Sequence, residues 1–312
     1  MFSKYEYAYA LYQEGSFTKA AQKLFITQPS LSIAIKGIEK EAGAVLFERR
    51  GNGVVLTEAG KEYIATVERI MALEKELKSK IRDMNCLESG QLVVGGSNFI
   101  SSYVLPGIIN EFTKRYPKIE VELAEGNSVH MQQLLRQDRI DLLVDTGECP
   151  PECLTIPLAH EKILLCVPKA MAVNQGLEDY RIEPEEIFRG KVNFEKTPCV
   201  PLEKFKQEKF ILLKPGNDMH ERAMGIFREN DMEPAVAFRV DQLNMAYALA
   251  ACGNGVTFVT DTLFRYGGFH EDVWLYPVAG QWERTLYIAH RHNRYCSRAM
   301  SEFILAAKQS VR

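Results

Sequence analysis

Residues 15–38 read GSFTKAAQKLFITQPSLSIAIKGI, and the spacing predicts two short helices closed by a tight turn. Ser16 offers a hydroxyl to the free N–H groups at the start of the first helix. Phe17, Ala20, Ala21 and Leu24 recur at intervals of three and four, so one face of that helix is apolar. The small Ala20 and Ala21 leave room for a second helix to come close. The pattern pauses at Phe25-Ile26-Thr27, where Thr27 can cap the next helix. Pro29 then falls in its first turn, where a missing N–H is tolerated. Leu31, Ile35 and Ile38 form the inward stripe; Gln28, Ser30, Ser32, Ile33 and Lys36 point away from it. A second helix with a small polar outer face suits the major groove of DNA. The same pattern also suits an ordinary helical hairpin, so the flanking sequence decides.

Residues 46–57, LFERRGNGVVLT, read as a short strand, a glycine turn and a return strand, with Thr57 capping a further helix. A helix-turn-helix followed by a small basic hairpin is a winged helix. The order SFTKAA, ITQPSLS, IE, LFERR, VVLTEAG closely resembles the N-terminal domain of LysR-type transcriptional regulators over roughly the first sixty residues. That resemblance implies a winged helix-turn-helix, mainly α, over residues 1–58, and a linker and dimerisation helix over 59–88. Residues 89–312 would then be a two-lobed α/β effector domain resembling periplasmic binding proteins. It also implies base and phosphate contacts from Thr27, Gln28, Pro29, Ser30, Ser32 and Lys36. Gln and Ser can hydrogen-bond base edges, and Pro29 can touch a thymine methyl. Thr27 and Ser30 would serve equally as local caps. Arg49 and Arg50 would hold phosphates beside the wing, which positions without specifying; one of them could instead pair with a neighbouring glutamate. Two departures from the family pattern stand out. Gly37 lies inside the recognition helix, where glycine costs about 1 kcal/mol relative to alanine. The wing tip, Gly51-Asn52-Gly53, lacks the arginine often found there. Each recognition helix reads only a few base pairs, so the partner is double-stranded DNA with paired half-sites, bound by a dimer or tetramer.

Composition sets the outer limits. The 312 residues are 46% hydrophobic, enough for two or three domains with real cores. No stretch reaches the roughly eighteen apolar residues of a membrane span, and Tyr and Glu interrupt the N-terminus where a secretion signal would be apolar. A cytoplasmic protein with no membrane partner is expected. Net charge is −3, but residues 1–85 hold thirteen Lys and Arg against eleven Asp and Glu, and the rest carries the acidic excess. Phosphate contacts must therefore come from local placement, not from a bulk field. The seven cysteines are odd in number and form no CxxC pair, which fits reduced thiols.

Beyond the wing, residues 4–14 read as a first helix whose Tyr5, Tyr9 and Tyr12 pack on the helix-turn-helix. Glu58 to about Leu87 is a long helix in which Tyr63, Ile70, Leu77 and Met84 repeat at seven, with Val67 and Ile81 in a second seam. It is polar around most of its circumference, so a partner strip and dimerisation are expected. From Gln91 the pattern becomes strand–helix alternation. Strands are predicted at 92–95, 119–123, 140–144, 163–167, 210–213, 236–240, 256–259, 274–278 and 285–290. Helices are predicted at 103–115, 130–136, 219–229, 243–252 and 297–308. The order implies parallel sheets in two lobes, one over about 89–162 and 268–312, the other over about 163–267. Residues 172–209 carry no readable pattern.

Ligands of such sheets bind beyond the carboxyl ends of the strands. The loops there are 96–102, 126–128, 145–147, 214–218 and 241–242, rich in glycines, hydroxyls and amides. The resemblance maps effector contacts best to Ser97, Asn98 and Ser101. Asn127, Ser128, Thr146 and Asn217 are further candidates around the cleft. Free N–H groups at helix starts make an anion site there without any fixed cation, so a carboxylate or other small anion is the expected effector. Helix capping is the plainer role for each of Ser97, Asn98, Ser101 and Asn217 taken alone. No cofactor is called for. The sequence has no G-x-S-x-G, P-loop or HExxH, and His290 and His292 lack a third metal ligand, so neither an enzyme nor a metal site is expected. RNA polymerase is a further partner open to a regulator. The rival reading is a solute-binding or redox-sensing module whose N-terminal helices serve protein contacts, with Cys149 and Cys153 as the switch.

Overall fold

The computed structural model describes residues 4–50, 53–83, 90–280 and 282–311. Gly51 and Asn52 of the wing tip, Met84 of the heptad pattern, Cys86 and the helix end expected near Leu87 lie outside them. The chain divides into two compact units, Met1–Ile81 and Arg82–Arg312.

In the first unit α1 (Lys4–Glu14), α2 (Phe17–Lys23) and α3 (Gln28–Ala42) enclose Leu11, Ala20, Ala21, Leu31, Ile35 and Ile38, the inward stripes read from the sequence. Ser16 makes no capping hydrogen bond through its side chain, contrary to expectation; only its carbonyl serves the helix, accepting from Ala20 N. Thr27 does cap α3, its hydroxyl accepting from Ser30 N at 3.3 Å. Phe25 closes α2 in the left-handed region at φ 54°, while Ile26 N reaches back to Ala21 O, a wrapped helix end usually built on glycine. Strands β1 (Phe47–Arg50) and β2 (Gly53–Leu56) form the antiparallel wing. Two groups outside the hairpin fix it. Glu39 of α3 accepts from Leu46 N and Phe47 N at 2.9 and 3.2 Å, and Gly15 O accepts from Val54 N at 2.9 Å.

Helix α4 (Glu58–Asp83) starts under Thr57, whose hydroxyl accepts from Gly60 N at 2.9 Å. Gly60 lies so close to the wing entry that a Cβ there would stand 2.0 Å from Leu46 O. Ile64 and Val67 are buried against the helix-turn-helix, with Tyr63 and Met71 packed beside them. Farther along, Ile70, Leu73, Leu77 and Ile81 are exposed, Leu73 by 65% and Leu77 by 59%.

The second unit has two lobes joined by one long strand. In lobe I, β3 (Gly90–Ser97) runs parallel to β4 (Ile119–Gly126) and to β5 (Leu142–Asp145), and β11 (Glu283–Arg291) joins β5 antiparallel. Helices α5 (Asn98–Tyr103), α6 (Leu105–Arg115) and α12 (Arg298–Ser310) cover one face, and α7 (Ser128–Arg136) covers the other. Asp141 locks β5 to its neighbour, accepting from Val93 N at 2.8 Å and from Arg294. Strand β6 (Cys153–Pro168) pairs with β11 over its first half. Its second half joins lobe II, where it pairs antiparallel with β9 (Val256–Thr260) and β10 (Val273–Pro277). Lobe II continues with β7 (Lys209–Leu213), parallel to β8 (Ala235–Val240) and β9. Its helices are α8 (Pro184–Phe188), α9 (Asp218–Glu229), α10 (Leu243–Ala251) and α11 (Asp261–Tyr266).

Three expectations need correction. The sheets are mixed, not wholly parallel, because β11 runs against β5 and β6 in lobe I, and β6 runs against β9 and β10 in lobe II. The return to lobe I falls after Pro277 and not near 268, since β10 is bonded to the lobe II half of β6. The helix expected from Tyr103 begins at Asn98, with a break at Val104 before Pro106. Residues 172–209, opaque in the sequence, wrap lobe II in short turns that bury Leu177, Ile182, Ile187, Val200, Leu202 and Phe205. Among the described residues no helix is long and apolar enough to cross a membrane.

Candidate nucleic-acid interface and effector cleft

The outer surface of α3 is small and polar at its start. Thr27, Pro29, Ser30 and Lys36 are exposed, and Gln28 and Ser32 half-exposed. Ile33, 73% exposed, stands among them as an apolar contact surface beside Pro29. Thr27 and Ser30 are bonded to each other through their hydroxyls at 2.7 Å, so both serve the cap. Arg49 and Arg50 are in β1, opposite Val54 and Gly53. Strand pairing and Glu39 thus hold wing and recognition helix as one surface. Glu39 was not among the predicted site residues; it is legible only as the last letter of the IE pair.

In the second unit a cavity of about 620 Å³ lies between the lobes at the carboxyl ends of β3, β4, β5, β7 and β8. Ser97, Asn98, Asn127, Ser128, Thr146 and Asn217 all line it, as the strand-end argument required. Asn127 and Asn217 are also helix caps, accepting from His130 N at 2.8 Å and Met219 N at 3.0 Å. Ser101 is different. It is buried, its hydroxyl donates to Gly96 O at 3.1 Å, and it does not line the cavity. Ser101 is the fourth residue of α5 and faces the core because that helix begins at Asn98.

The charged groups of the cleft were not foreseen. Arg284, at the start of β11, is 6% exposed and lines the wall. Its Nε and Nη2 donate to Glu161 Oε2 at 2.9 and 2.6 Å, and its Nη1 donates to Asp218 Oδ2 at 3.2 Å. Burial opposes the guanidinium charge, but Glu161 and Asp218 outweigh it and its pKa is raised. The cleft therefore does contain a fixed cation, correcting the expectation of helix N–H groups alone. Sequence reading missed it because Arg284 falls between the predicted strands 274–278 and 285–290, in a stretch with no motif. Asp145, at the end of β5, is 1% exposed; burial raises its pKa above the usual carboxylate range, partly offset by the N–H of Thr146 and the hydroxyls of Ser128 and Ser97. Lys214 and Asp241 pair at 2.8 Å on the lobe II rim.

Cys149 and Cys153 lie beside Tyr287 on the α7 face of lobe I. Burial pushes both thiols up, Cys149 to about 12, with each cysteine adding to or moderating the other's shift. A thiol-based sensor needs the opposite, a thiolate at neutral pH. Among the described residues no three His, Cys, Asp or Glu gather as metal ligands.

Residues 87–312 match the family model for the LysR substrate binding domain, and residues 2–61 match that for bacterial regulatory helix-turn-helix proteins of the lysR family. A Bacillus subtilis protein described as the uncharacterized HTH-type transcriptional regulator YcgK is 31% identical over 98% of this chain and 94% of its own length. A probable RuBisCO transcriptional regulator of Chlorokybus atmophyticus is 29% identical over 96% of this chain and 93% of its own. Among solved structures, full-length OxyR C199D from Pseudomonas aeruginosa superposes with TM-score 0.68 at 21% identity, covering 99% and 98% of the two chains. CbnR in complex with its target DNA does so with TM-score 0.63 at 19% identity, over 98% of each.

Proposed function

The chain belongs to the LysR family of bacterial helix-turn-helix transcriptional regulators, and from that premise we propose how it reads DNA and what it senses. Gln28, Pro29, Ser30, Ser32 and Lys36 face the major groove, and Arg49 and Arg50 hold phosphates beside it, as two or more subunits engage paired half-sites. The exposed Leu73, Leu77 and Ile81 on α4 supply the strip through which the subunits pair. CbnR, which shares this fold, was solved with its target DNA, and that likeness supports the reading.

The effector is a small polar metabolite bound between the lobes. An anionic group on it would sit against Arg284 and the N–H groups at the helix starts around Ser97, Asn98 and Asn127. The observation that carries this reading is the cavity at the strand ends, walled by both lobes and lined by six of the seven predicted residues. Closure on the ligand biases one arrangement of subunits, changing the spacing of the paired DNA-binding domains. The same coupling makes DNA alter effector affinity by an equal factor. RNA polymerase is the partner on which such a change would act.

Fluorescence anisotropy with duplex DNA at rising salt tests the first half. Weak binding to random sequence that falls steeply with salt is expected, and no binding at low ionic strength would overturn it. For the second half, a thermal-shift screen of organic acids, amino acids and sulfur-containing anions should find a stabilising compound whose effect is lost in Ser97→Ala.

A further inference from the structure

Ile33 stands on the outer surface of α3, 73% exposed, whereas Leu31, Ile35 and Ile38 of the same helix are 0%, 2% and 3% exposed. At about 100° per residue, Ile33 falls within about 15° of the line opposite that buried stripe. Side chains four residues apart form rows along a helix, and two such rows make up this surface. Gln28, Ser32 and Lys36 are one row, every member able to hydrogen-bond. Pro29, Ile33 and Gly37 are the other, without a single side-chain donor or acceptor. The rows adjoin, because Pro29 and Ser32, like Ile33 and Lys36, are three residues apart. A helical side chain leans toward the helix start, so Ile33 extends over the turn that holds Pro29 and Ser30. The hydroxyl of Ser30 is bonded to that of Thr27 at 2.7 Å. On the other side Gly37 leaves Ile33 uncovered, and even a Cβ there would meet no neighbour within 4 Å.

Base edges in the major groove offer donors, acceptors and one apolar group, the C5-methyl of thymine. That methyl is the feature an apolar row can distinguish. A duplex that engages Ser32 and Lys36 also meets Pro29 and Ile33, since the two rows are side by side. β-branching holds Ile33 to one preferred χ1 in a helix, so little freedom is lost on contact. Resting on the reading of α3 as the recognition helix, we propose that Ile33 is a specificity residue that packs on a thymine methyl in each half-site. With Pro29 it forms a methyl-reading row, and Gln28 and Ser32 beside it read by hydrogen bonds.

The test uses the full chain and an operator that it selects from randomised duplex DNA. Each thymine of the selected half-sites is replaced in turn by deoxyuridine, which removes the methyl and keeps every hydrogen-bonding group. Fluorescence anisotropy at fixed salt then measures wild type and Ile33→Ala on each duplex. At one thymine or more, the wild type is expected to lose about fourfold per half-site, the worth of burying one methyl. Ile33→Ala should lose at least as much on the thymine duplex and be indifferent to the replacement there. Its melting temperature and salt slope should match the wild type, because the side chain removed is exposed and uncharged. If no replacement weakens the wild type, or if Ile33→Ala feels each one as strongly as the wild type does, the methyl contact is overturned while the polar row remains a reader of DNA. If no duplex is bound even at low salt, the recognition-helix reading falls with it.

Discussion

Nη1 of Arg284, the second residue of β11, donates to Oδ2 of Asp218, the first residue of α9, at 3.2 Å. One buried guanidinium therefore ties the strand that returns to lobe I to a helix of lobe II. Its other nitrogens hold Glu161, which is fully buried on the connecting strand β6. Removing the arginine would strand that carboxylate. Arg284→Met should destabilise the second unit by about 3–5 kcal/mol, the usual cost of breaking a buried ion pair from one side. Chemical denaturation followed by far-UV circular dichroism measures it. Glu161→Gln combined with Arg284→Met should recover part of the loss, since no buried charge is then left alone.

Asp145 makes a prediction with pH. Its native pKa is raised by burial above that of an unfolded aspartate, about 3.9. The native state holds its proton more tightly, so this group favours folding below that value and loses the contribution as pH rises through the native pKa. Asp145→Asn removes the loss and keeps the acceptor for Thr146 N. Urea midpoints of variant and wild type should converge near pH 4 or below. The variant should pull ahead toward neutral pH. Curves that stay parallel across that range would contradict the assignment.

The two helix starts of the DNA-binding unit should respond differently to the same substitution. Thr27→Ala removes a formed cap and is expected to cost about 1 kcal/mol. Ser16→Ala removes a hydroxyl that makes no capping bond, so a change within about 0.5 kcal/mol is expected. Urea unfolding of the two variants side by side settles the contrast.

Gly60 is confined by its surroundings. Gly60→Ala places a methyl against the carbonyl of Leu46, which belongs to the backbone and cannot swing aside. Overpacking of this kind typically costs about 1–3 kcal/mol, and here it also pushes the wing away from α4. Lower DNA affinity together with a lower melting temperature is expected. A variant that melts and binds like the parent would refute the close approach.

On DNA, Lys36→Ala should weaken binding to every duplex alike and reduce the slope of log affinity against log salt by about 1. Gln28→Ala should cost about 1–3 kcal/mol on the cognate site and relax the preference at one base position. Anisotropy titrations on cognate and scrambled duplexes distinguish the two behaviours.

Much of this molecule was legible before its structure. Leu31, Ile35 and Ile38 recur at helical spacing because one face of α3 must be buried, and all three are. The loops holding Ser97, Asn98, Asn127, Ser128, Thr146 and Asn217 were found from a rule about strand ends, and the family resemblance singled out Ser97 and Asn98 within them. Residues 172–209 escaped because short turns packed on a core have no period to detect. Ser16 and Ser101 escaped because a hydroxyl beside a helix start can face the backbone, the solvent or the core, and local sequence does not choose among them.

Sequence by itself determined the helix-turn-helix pattern, the strand–helix alternation and the loops that border the cleft, since periodicity, caps and turn residues are local properties written along the chain. Tertiary structure alone decided that Arg284 is matched by Glu161 and Asp218 and that Asp145 Oδ2 is left unpaired. Those facts depend on residues 66 to 139 positions apart in the chain meeting in one largely buried wall, and electrostatic pairing there is set by distance in space and by burial, neither of which the order of residues expresses.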